Sequence, residues 1–467
     1  MKVLVMGLGL HGGGAESARY LAEQGAEVTV TDLRDEKILA PSIEKLASYP
    51  IRYILGKHNM EDFKNADMVI KNPGVKPDSS FLKAARRIET DISLFLAACP
   101  GRILAITGSK GKSTVSSALY HVLNEYKNRQ TAKMPGNSWL GGNIAVSPLS
   151  FIDKVKEDDD VVLELSSWQL GDLRRRELLK PRAAVLTSIM RDHLDRYGTM
   201  DAYVADKRLI YQNQDKNDVT VAENDDWGKS FLSESRGRPL VYSGTKLPEG
   251  IYGGWIENPG GPGLARLWEI SGGKEEPGRV AEVVPGKLLI PGRHQKKNLL
   301  AAALTLLDLA LEPDFVRESL GRFPGIEHRL EFFHEAGGIR FYNDSAATIP
   351  EAAAAAIDAF EKAPVLVTGG TDKDLDFSPL AKAAGRAKEI ILIAGTGSEK
   401  LKSLLESGGI KYRGPYDSLD KAINAALELA IPGDSVVLSP GCTSFGMFLN
   451  EFDRGKQWKD RVRKLTG

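Results

Sequence analysis

Cysteine is almost missing from this chain. Two residues in 467, Cys99 and Cys442, cannot make a disulfide scaffold, and neither stands in a metal-type C-x-x-C spacing. A reducing compartment, the cytoplasm, is therefore expected. No apolar run reaches the roughly 18 residues that a membrane span needs. The opening M-K-V-L-V-M-G-L-G-L has too short an apolar part for a secretion leader and runs into G-L-H-G-G-G without a cleavage pattern, so it reads as a first β-strand. Net charge is missing too: 62 Lys plus Arg face 62 Asp plus Glu, which leaves no global field to draw nucleic acid or an anionic membrane. Neither is an expected partner, and the chain is taken to be a monomer. Tandem repeats and low-complexity segments are lacking, apart from an alanine run at 352–356 that is good helix sequence.

What is present is length enough for two to four domains and a recurring theme of short apolar runs that end in glycine-rich or polar loops. The sharpest instance is I-L-A-I-T-G-S-K-G-K-S-T, Ile103 to Thr114. An apolar strand leads through Gly108, Ser109, Lys110 and Gly111 into a helix start, which predicts a phosphate cradle. Backbone N–H groups at a helix N-terminus carry partial positive charge, Lys112 can reach terminal phosphates, and the Ser113 or Thr114 hydroxyl can ligate Mg²⁺. Ile106 stands where the strict P-loop pattern has its first glycine, so the loop is a shortened variant.

Before it, Lys2 to Met6 and Val28 to Val30 read as strands around G-x-G-x-x-G (Gly7, Gly9, Gly12), with Asp32 where dinucleotide folds keep a ribose-binding acid. Met68 to Lys71 is a further strand, ending in Asn72-Pro73-Gly74. After it, Gly136 to Asn143 reads as a glycine-rich loop and Asp158 to Asp160 as a solvated turn. Val161 to Leu165 is a strand that carries Glu164; a carboxylate there is costly unless paired or metal-bound, which makes it a Mg²⁺ ligand candidate with a structural ion pair as the alternative. Ala183 to Ile189 reads as a strand delivering His193 between two acids, a metal or phosphate candidate. By physics alone Lys207, in Y-V-A-D-K-R, is a surface lysine. Residues 227–285 look like an irregular β excursion. Further on, H-x-x-x-N puts His294 and Asn298 on one helical face, where Asn298 could read an adenine edge or cap the turn. Four polar loops at strand ends, at 343–348, 369–373, 395–397 and 439–445, argue for a binding face in a last α/β unit.

Taken in order, T-G-S-K-G-K-S-T, L-E-L-S-S-W-Q-L, D-H-L-D-R-Y-G, A-D-K-R, P-G-R-H-Q-K-K-N, H-R-L-E and N-D-S resemble the Mur ligases of peptidoglycan synthesis over nearly the whole chain. G-L-G-L-H-G-G-G, T-D-L-R, N-P-G-V, G-G-T-D-K-D-L-D-F and L-S-P-G-C-T-S-F are most similar to the members that add D-glutamate. The resemblance implies an α/β protein of three domains: a Rossmann-like one that binds the UDP substrate (1–100), a central P-loop ATPase with the β excursion (101–325), and a Rossmann-like C-terminal domain that binds glutamate and closes on ATP (326–467). The implied reaction joins glutamate to UDP-N-acetylmuramoyl-L-alanine through an acyl phosphate, with ATP and two Mg²⁺ ions.

Residue by residue, the resemblance implies that Lys112, His193 and Lys207 are catalytic and that Ser113, Thr114, Glu164, His193 and Lys207 hold metal, Lys207 as a carbamate, against the surface reading. It places Asn298 on adenine, and Arg329 and Asp344 on ribose and phosphates. His11, Asp32, Arg34, Gly74 and Asn143 would meet the uridine-sugar substrate, and Thr348, Lys373, Ser444 and Phe445 the glutamate. Ala346 departs from the family's usual lysine in N-D-S-K-A-T, so an L-glutamate-adding enzyme is the alternative. A nicotinamide dehydrogenase would explain the first glycine cluster and Asp32 but leaves G-K-S-T, Glu164 and Lys207 without a task, and a folylpolyglutamate synthase-like ligase would not need the first domain.

Overall fold

The computed structural model describes residues 1–10, 12–76, 78–129, 133–144, 146–258, 260–271, 274–444 and 446–467, and the side chains of all these except 267–271 and 274–278. The expectations for His11 and Phe445 lie outside the described residues. The chain forms two compact units, one of Met1–Glu257, Gly263–Val283 and Asn298–Val316, the other of Asn258–Pro262, Val284–Lys297 and Arg317–Gly467.

The first unit holds two sheets. In the N-terminal one, β1 (Lys2–Met6), β2 (Glu27–Asp32), β3 (Arg52–Leu55), β4 (Met68–Lys71) and β5 (Ile88–Glu89) lie in the order β3-β2-β1-β4-β5, all parallel. The second contains β6 (Arg102–Thr107), β7 (Ser138–Gly142), β8 (Asp160–Glu164), β9 (Ala183–Leu186), β10 (Val219–Glu223), β11 (Arg238–Ser243), β12 (Gly253–Ile256), β13 (Gly263–Ser271) and β14 (Lys274–Val284). Their order is β14-β13-β12-β11-β10-β9-β6-β8-β7, parallel from β7 to β12, with β13 antiparallel to β12. Leu104, Ala105 and Ile106 of β6 are wholly buried, as expected of a parallel strand covered on both faces, where an apolar run replaces alternation. Chain reversal on either side of β6 places β8 and β9 as its neighbours, so the ends of three adjacent strands open into one crevice, the usual ligand position of an open α/β sheet.

Three local expectations are corrected. Residues 136–143 are not a loop: Ser138–Gly142 pairs in parallel with β8 as an edge strand, and the Trp139 ring stacks 5.3 Å from Phe151. Of Asp158–Asp160 only Asp158 is in a solvated turn. Asp159 and Asp160 are fully buried: Asp159 accepts from Asn137 N and Trp139 Nε1 at 2.6 and 2.7 Å, and Asp160 pairs with Arg102 at 2.6 Å and Lys127 at 2.7 Å. Residues 227–285 are no irregular excursion, because β11 to β14 continue the central sheet.

The second unit is built on β15 (Glu331–Ala336), β16 (Ile339–Asn343), β17 (Val365–Thr368), β18 (Glu389–Ile393), β19 (Arg413–Tyr416) and β20 (Ser435–Leu438) in the order β15-β16-β20-β17-β18-β19. Only β15 runs antiparallel to its neighbour. Loops 343–348, 439–444, 369–373 and 394–397 follow β16, β20, β17 and β18, four adjacent parallel strands, so the four expected loops lie side by side at one end of the sheet. No helix among the described residues is long and apolar enough to cross a membrane.

Candidate active site

The helix Lys112–Lys127 begins at the P-loop, one turn earlier than the apolar spacing alone suggests, with Gly111 as its N-cap at φ 91°. Two glycines are geometrically required here. Gly108 has φ 146°, and a Cβ on it would collide with Thr187 Oγ1; a Cβ on Gly111 would collide with Asn298 Oδ1. The second contact brings Asn298 against the loop from the helix Arg293–Asp308, so the loop and a residue nearly two hundred positions away share one wall.

The loop's side chains divide by task. Ser109 is buried and works inward: its hydroxyl donates to Met190 O at 3.0 Å, accepts from Met190 N at 2.9 Å and lies 3.0 Å from Tyr203 Oη. Lys110 points out, 72 % exposed. Lys112 Nζ donates to the carbonyls of Gly108 and Ser109 at 3.0 and 3.1 Å, curled over the loop, and burial pushes its ammonium down from the usual lysine value. Ser113 and Thr114 occupy the first helical turn, where their hydroxyls and the free N–H groups share the positive helix end.

Glu164 closes β8 and is 1 % exposed. Its carboxylate accepts from Asn143 Nδ2 at 2.9 Å and, at 3.5 Å, from Ser116 Oγ, and Asn143 N donates to Glu164 O at 2.8 Å. The alternative expected for it, a structural ion pair, is not found among the described residues. Lys207 is equally buried at 1 %, on the helix Met200–Arg208, and its Nζ donates to Gly108 O at 2.8 Å over the Tyr203 ring at 4.5 Å. The surface reading of this lysine is thus overturned. Burial, with Lys112 adding like-charge repulsion, pushes its ammonium down to about 7. His193 follows β9 at φ 52°, half exposed, its ring 5.2 Å from that of Trp168.

One cavity of about 330 Å³ is lined by Gly74, Gly108, Lys112, Asn143, His193 and Lys207 together. Glu164 reaches it through Asn143 and Asn298 through Gly111. Asp32 and Arg34 do not line it. Asp32 accepts from the amides of Leu8 and Gly9 at 3.0 and 3.3 Å and from Arg34 N and Nε at 3.0 and 3.2 Å; burial alone would raise its carboxyl, but these bonds hold it below the usual range. Sequence reasoning left Ser166, Ser167, Trp168, Asp192 and Tyr203 without roles, although all five line the cavity. The signal was at hand in L-E-L-S-S-W-Q-L, of which only Glu164 had been singled out.

In the second unit, Asp344 accepts from Leu330 N at 3.1 Å and Ser439 Oγ at 2.6 Å, and Leu330 follows the exposed Arg329 in sequence, which brings that expected pair together. Burial pushes the Asp344 carboxyl up to about 7. Thr348, Lys373 and Ser444 sit on the loops after β16, β17 and β20, Lys373 exposed and Ser444 buried.

Three family descriptions cover the chain: Mur ligase MurD-like, N-terminal domain, over residues 1–93; Mur ligase middle domain, over 106–306; and Mur ligase, glutamate ligase domain, over 328–442. The UDP-N-acetylmuramoylalanine--D-glutamate ligase of Treponema pallidum (strain Nichols) is 39 % identical, with 99 % of this chain and 97 % of that protein aligned. The chain belongs to the Mur ligase family. Another Mur ligase of the same name, from Roseiflexus sp. (strain RS-1), is 38 % identical over 100 % of this chain and 99 % of its own length. Among solved structures, the UDP-N-acetylmuramate-alanine ligase MurC from Thermotoga maritima aligns over 100 % of both chains with a TM-score of 0.56 at 19 % identity, which speaks for the shared Mur ligase fold of three α/β domains and for nothing finer.

Proposed function

We propose that the chain is an ATP-dependent ligase that adds D-glutamate to UDP-N-acetylmuramoyl-L-alanine. The observation that carries this reading is the single cavity in which the phosphate-loop residues Gly108 and Lys112 meet Asn143, His193 and the buried Lys207. The names borne by relatives at 38–39 % identity over full length support the choice of substrates.

A carboxylate is a poor electrophile, and phosphorylation by ATP supplies a leaving group. The substrate carboxylate takes the γ-phosphoryl group and ADP departs; the amine of glutamate then attacks the acyl carbon and phosphate leaves. Bringing two anions together is the main obstacle. The N–H groups at the start of the helix Lys112–Lys127 and the Lys112 ammonium offset that repulsion, and exchange of the Gly108 and Ser109 carbonyls for phosphate oxygens relieves the buried cation. Asn143 orients Glu164 and can still meet substrate from the exposed side. Asp32 shapes the glycine turn after β1 and holds Arg34 for the uridine-sugar diphosphate.

Among the described residues no three or more His, Cys, Asp or Glu gather as a metal cage. The residues fit the sparse Mg²⁺ site that completes its shell with phosphate and water, because Glu164 is a buried carboxylate with an amide and a distant hydroxyl as its partners. Ser113, Thr114, Glu164 and His193 would hold the ions, and when bound Mg²⁺ supplies charge neutralisation for the transferred phosphoryl group. Lys207 fits carbamylation: burial leaves much of its amine neutral near pH 7, the form that adds CO₂, and the product would be an anionic oxygen ligand.

Phosphate release from purified enzyme, ATP, Mg²⁺ and UDP-N-acetylmuramoyl-L-alanine, given each glutamate enantiomer, tests the proposal. Release with D-glutamate is expected; release with L-glutamate alone would overturn it in favour of the L-adding enzyme, and release with neither would remove the ligase reading.

A further inference from the structure

Arg454 lies in the first turn of the C-terminal helix Glu451–Thr466 and is 1 % exposed, one of the largest wholly buried side chains of the molecule. The buried lysines Lys71 and Lys127 each face a carboxylate at 2.7 Å. Arg454 does not. Its Nε donates to Ser345 Oγ at 2.9 Å, Nη2 to Ser345 O at 2.8 Å and Nη1 to Cys442 O at 3.1 Å, so all three acceptors are neutral. Burial pushes the guanidinium down to about 10, with the Glu451 carboxylate of the same helical turn acting in the opposite sense without forming an ion pair, and it remains a cation at neutral pH.

A buried cation is expensive to keep, and neutral acceptors satisfy its hydrogen bonds without cancelling its charge. The place of this charge is informative. Ser345 belongs to the loop after β16 and Cys442 to the loop after β20, while a Cβ on Gly370, in the loop after β17, would stand 3.9 Å from Nη1. The guanidinium therefore sits beneath all three loops that carry Thr348, Lys373 and Ser444. The loop N-D-S-A-A-T contains no cation and adds an acid, Asp344; in the loop after β17 Lys373 is exposed, and a glutamate substrate carries two carboxylates.

We propose that Arg454 is a specificity-determining positioning residue, whose buried charge, in no ion pair among the described residues, ties the loops after β16 and β20 together beside the loop after β17 and supplies the second cationic potential needed to bind a dicarboxylate amino acid. The role rests on the glutamate-ligase reading given above. It acts through the loops and the field rather than by contact, since the guanidinium is sealed from solvent.

The test compares the parent with Arg454→Gln and Arg454→Lys in steady-state phosphate release. Parent turnover with D-glutamate examines the functional reading by itself. For the role of Arg454, the Gln variant is expected to raise the KM for glutamate about tenfold or more, with the KM for ATP within about twofold, whereas the Lys variant recovers to within about threefold. An unchanged KM for glutamate in Arg454→Gln overturns the proposal, and so does an equal rise in both variants, which would make Arg454 a clamp only. Should Arg454→Gln fail to fold, Arg454→Met takes its place under the same criteria, and a tenfold rise in glutamate KM in Arg454→Lys at an unchanged melting temperature sinks the charge role.

Discussion

Lys207→Met should make the protein more stable and less active at once. The lysine is 1 % exposed, with one hydrogen bond and no carboxylate within ion-pair distance among the described residues, and burial has brought its ammonium from 10.5 to about 7. A displacement of about 3.5 units corresponds to about 5 kcal/mol against the charged form, of which relaxation and water penetration leave about 2–4 kcal/mol to be measured. Methionine has similar length and no charge, and the Gly108 carbonyl keeps its bond from Lys112. The sign follows from proton counting. Below pH 7 both folded and unfolded chains hold the Lys207 proton and the parent carries the whole penalty. Between about 7 and 10.5 the unfolded chain holds a proton that the folded one lacks, so parental stability rises with pH and the gap to the variant closes. Urea denaturation in CO₂-free buffer at pH 6.5 and 9 should show the variant ahead by that margin at the lower pH and by roughly two fifths of it at the higher. Turnover should fall about 100-fold or more, because the carbamate cannot form. A variant less stable than the parent at pH 6.5, or a gap indifferent to pH, would refute the reasoning.

Gly111→Ala should weaken ATP binding about tenfold or more, since a side chain at φ 91° costs about 1–3 kcal/mol and its Cβ evicts Asn298 from the loop; calorimetric titration with ATP analogue and Mg²⁺ checks this, and parental affinity would contradict it. The buried pair Lys71–Asp172, 2.7 Å apart, joins the strand leading into Asn72–Gly74 to the helix Ser167–Asp172. Lys71→Met should cost about 3–5 kcal/mol by stranding Asp172, and adding Asp172→Asn should restore part of it; additive losses in the double variant would deny the coupling. Asp344, pushed up to about 7, holds a proton when folded that the unfolded chain has lost between pH 3.8 and 7, so it lowers stability as pH rises through that window. Asp344→Asn should therefore gain about 2–4 kcal/mol on the parent between pH 4 and 8, read from melting curves, and a flat difference would exclude the effect.

How much of this was legible before the structure depends on how local the deciding physics is. The phosphate loop was readable because its constraints lie within a dozen residues: an apolar strand, glycines for unusual backbone angles, and a lysine and hydroxyls at a helix start. Asp159 and Asp160 misled because three acids in a row look solvated, while the partners that bury them, Arg102, Lys127 and the amide of Asn137, come from other elements. Ser138–Gly142 misled in the opposite sense: its glycines suggest a loop, yet Gly141 is where the Phe151 ring packs closely against an edge strand.

Lys207 shows where propensity reasoning stops. In sequence it stands between Asp206 and Arg208 in a polar run, and nothing in 200–208 marks it as buried. What buries it is the neighbouring helix Ser167–Asp172, which can come close because Gly171 has no side chain to strike the Asp206 carboxylate. Asp206 is then held by Tyr197 at 2.9 Å and by Arg174, and the next side chain along, Lys207, is turned toward the Gly108 carbonyl. The burial of one lysine thus depends on a glycine 36 positions away whose only visible property in the sequence is its smallness. The same geometry explains why the site gathers where it does: β6, β8 and β9 end side by side, so the phosphate loop, Glu164 and the turn to His193 converge whatever their separation in sequence, and the helix carrying Lys207 closes the remaining side.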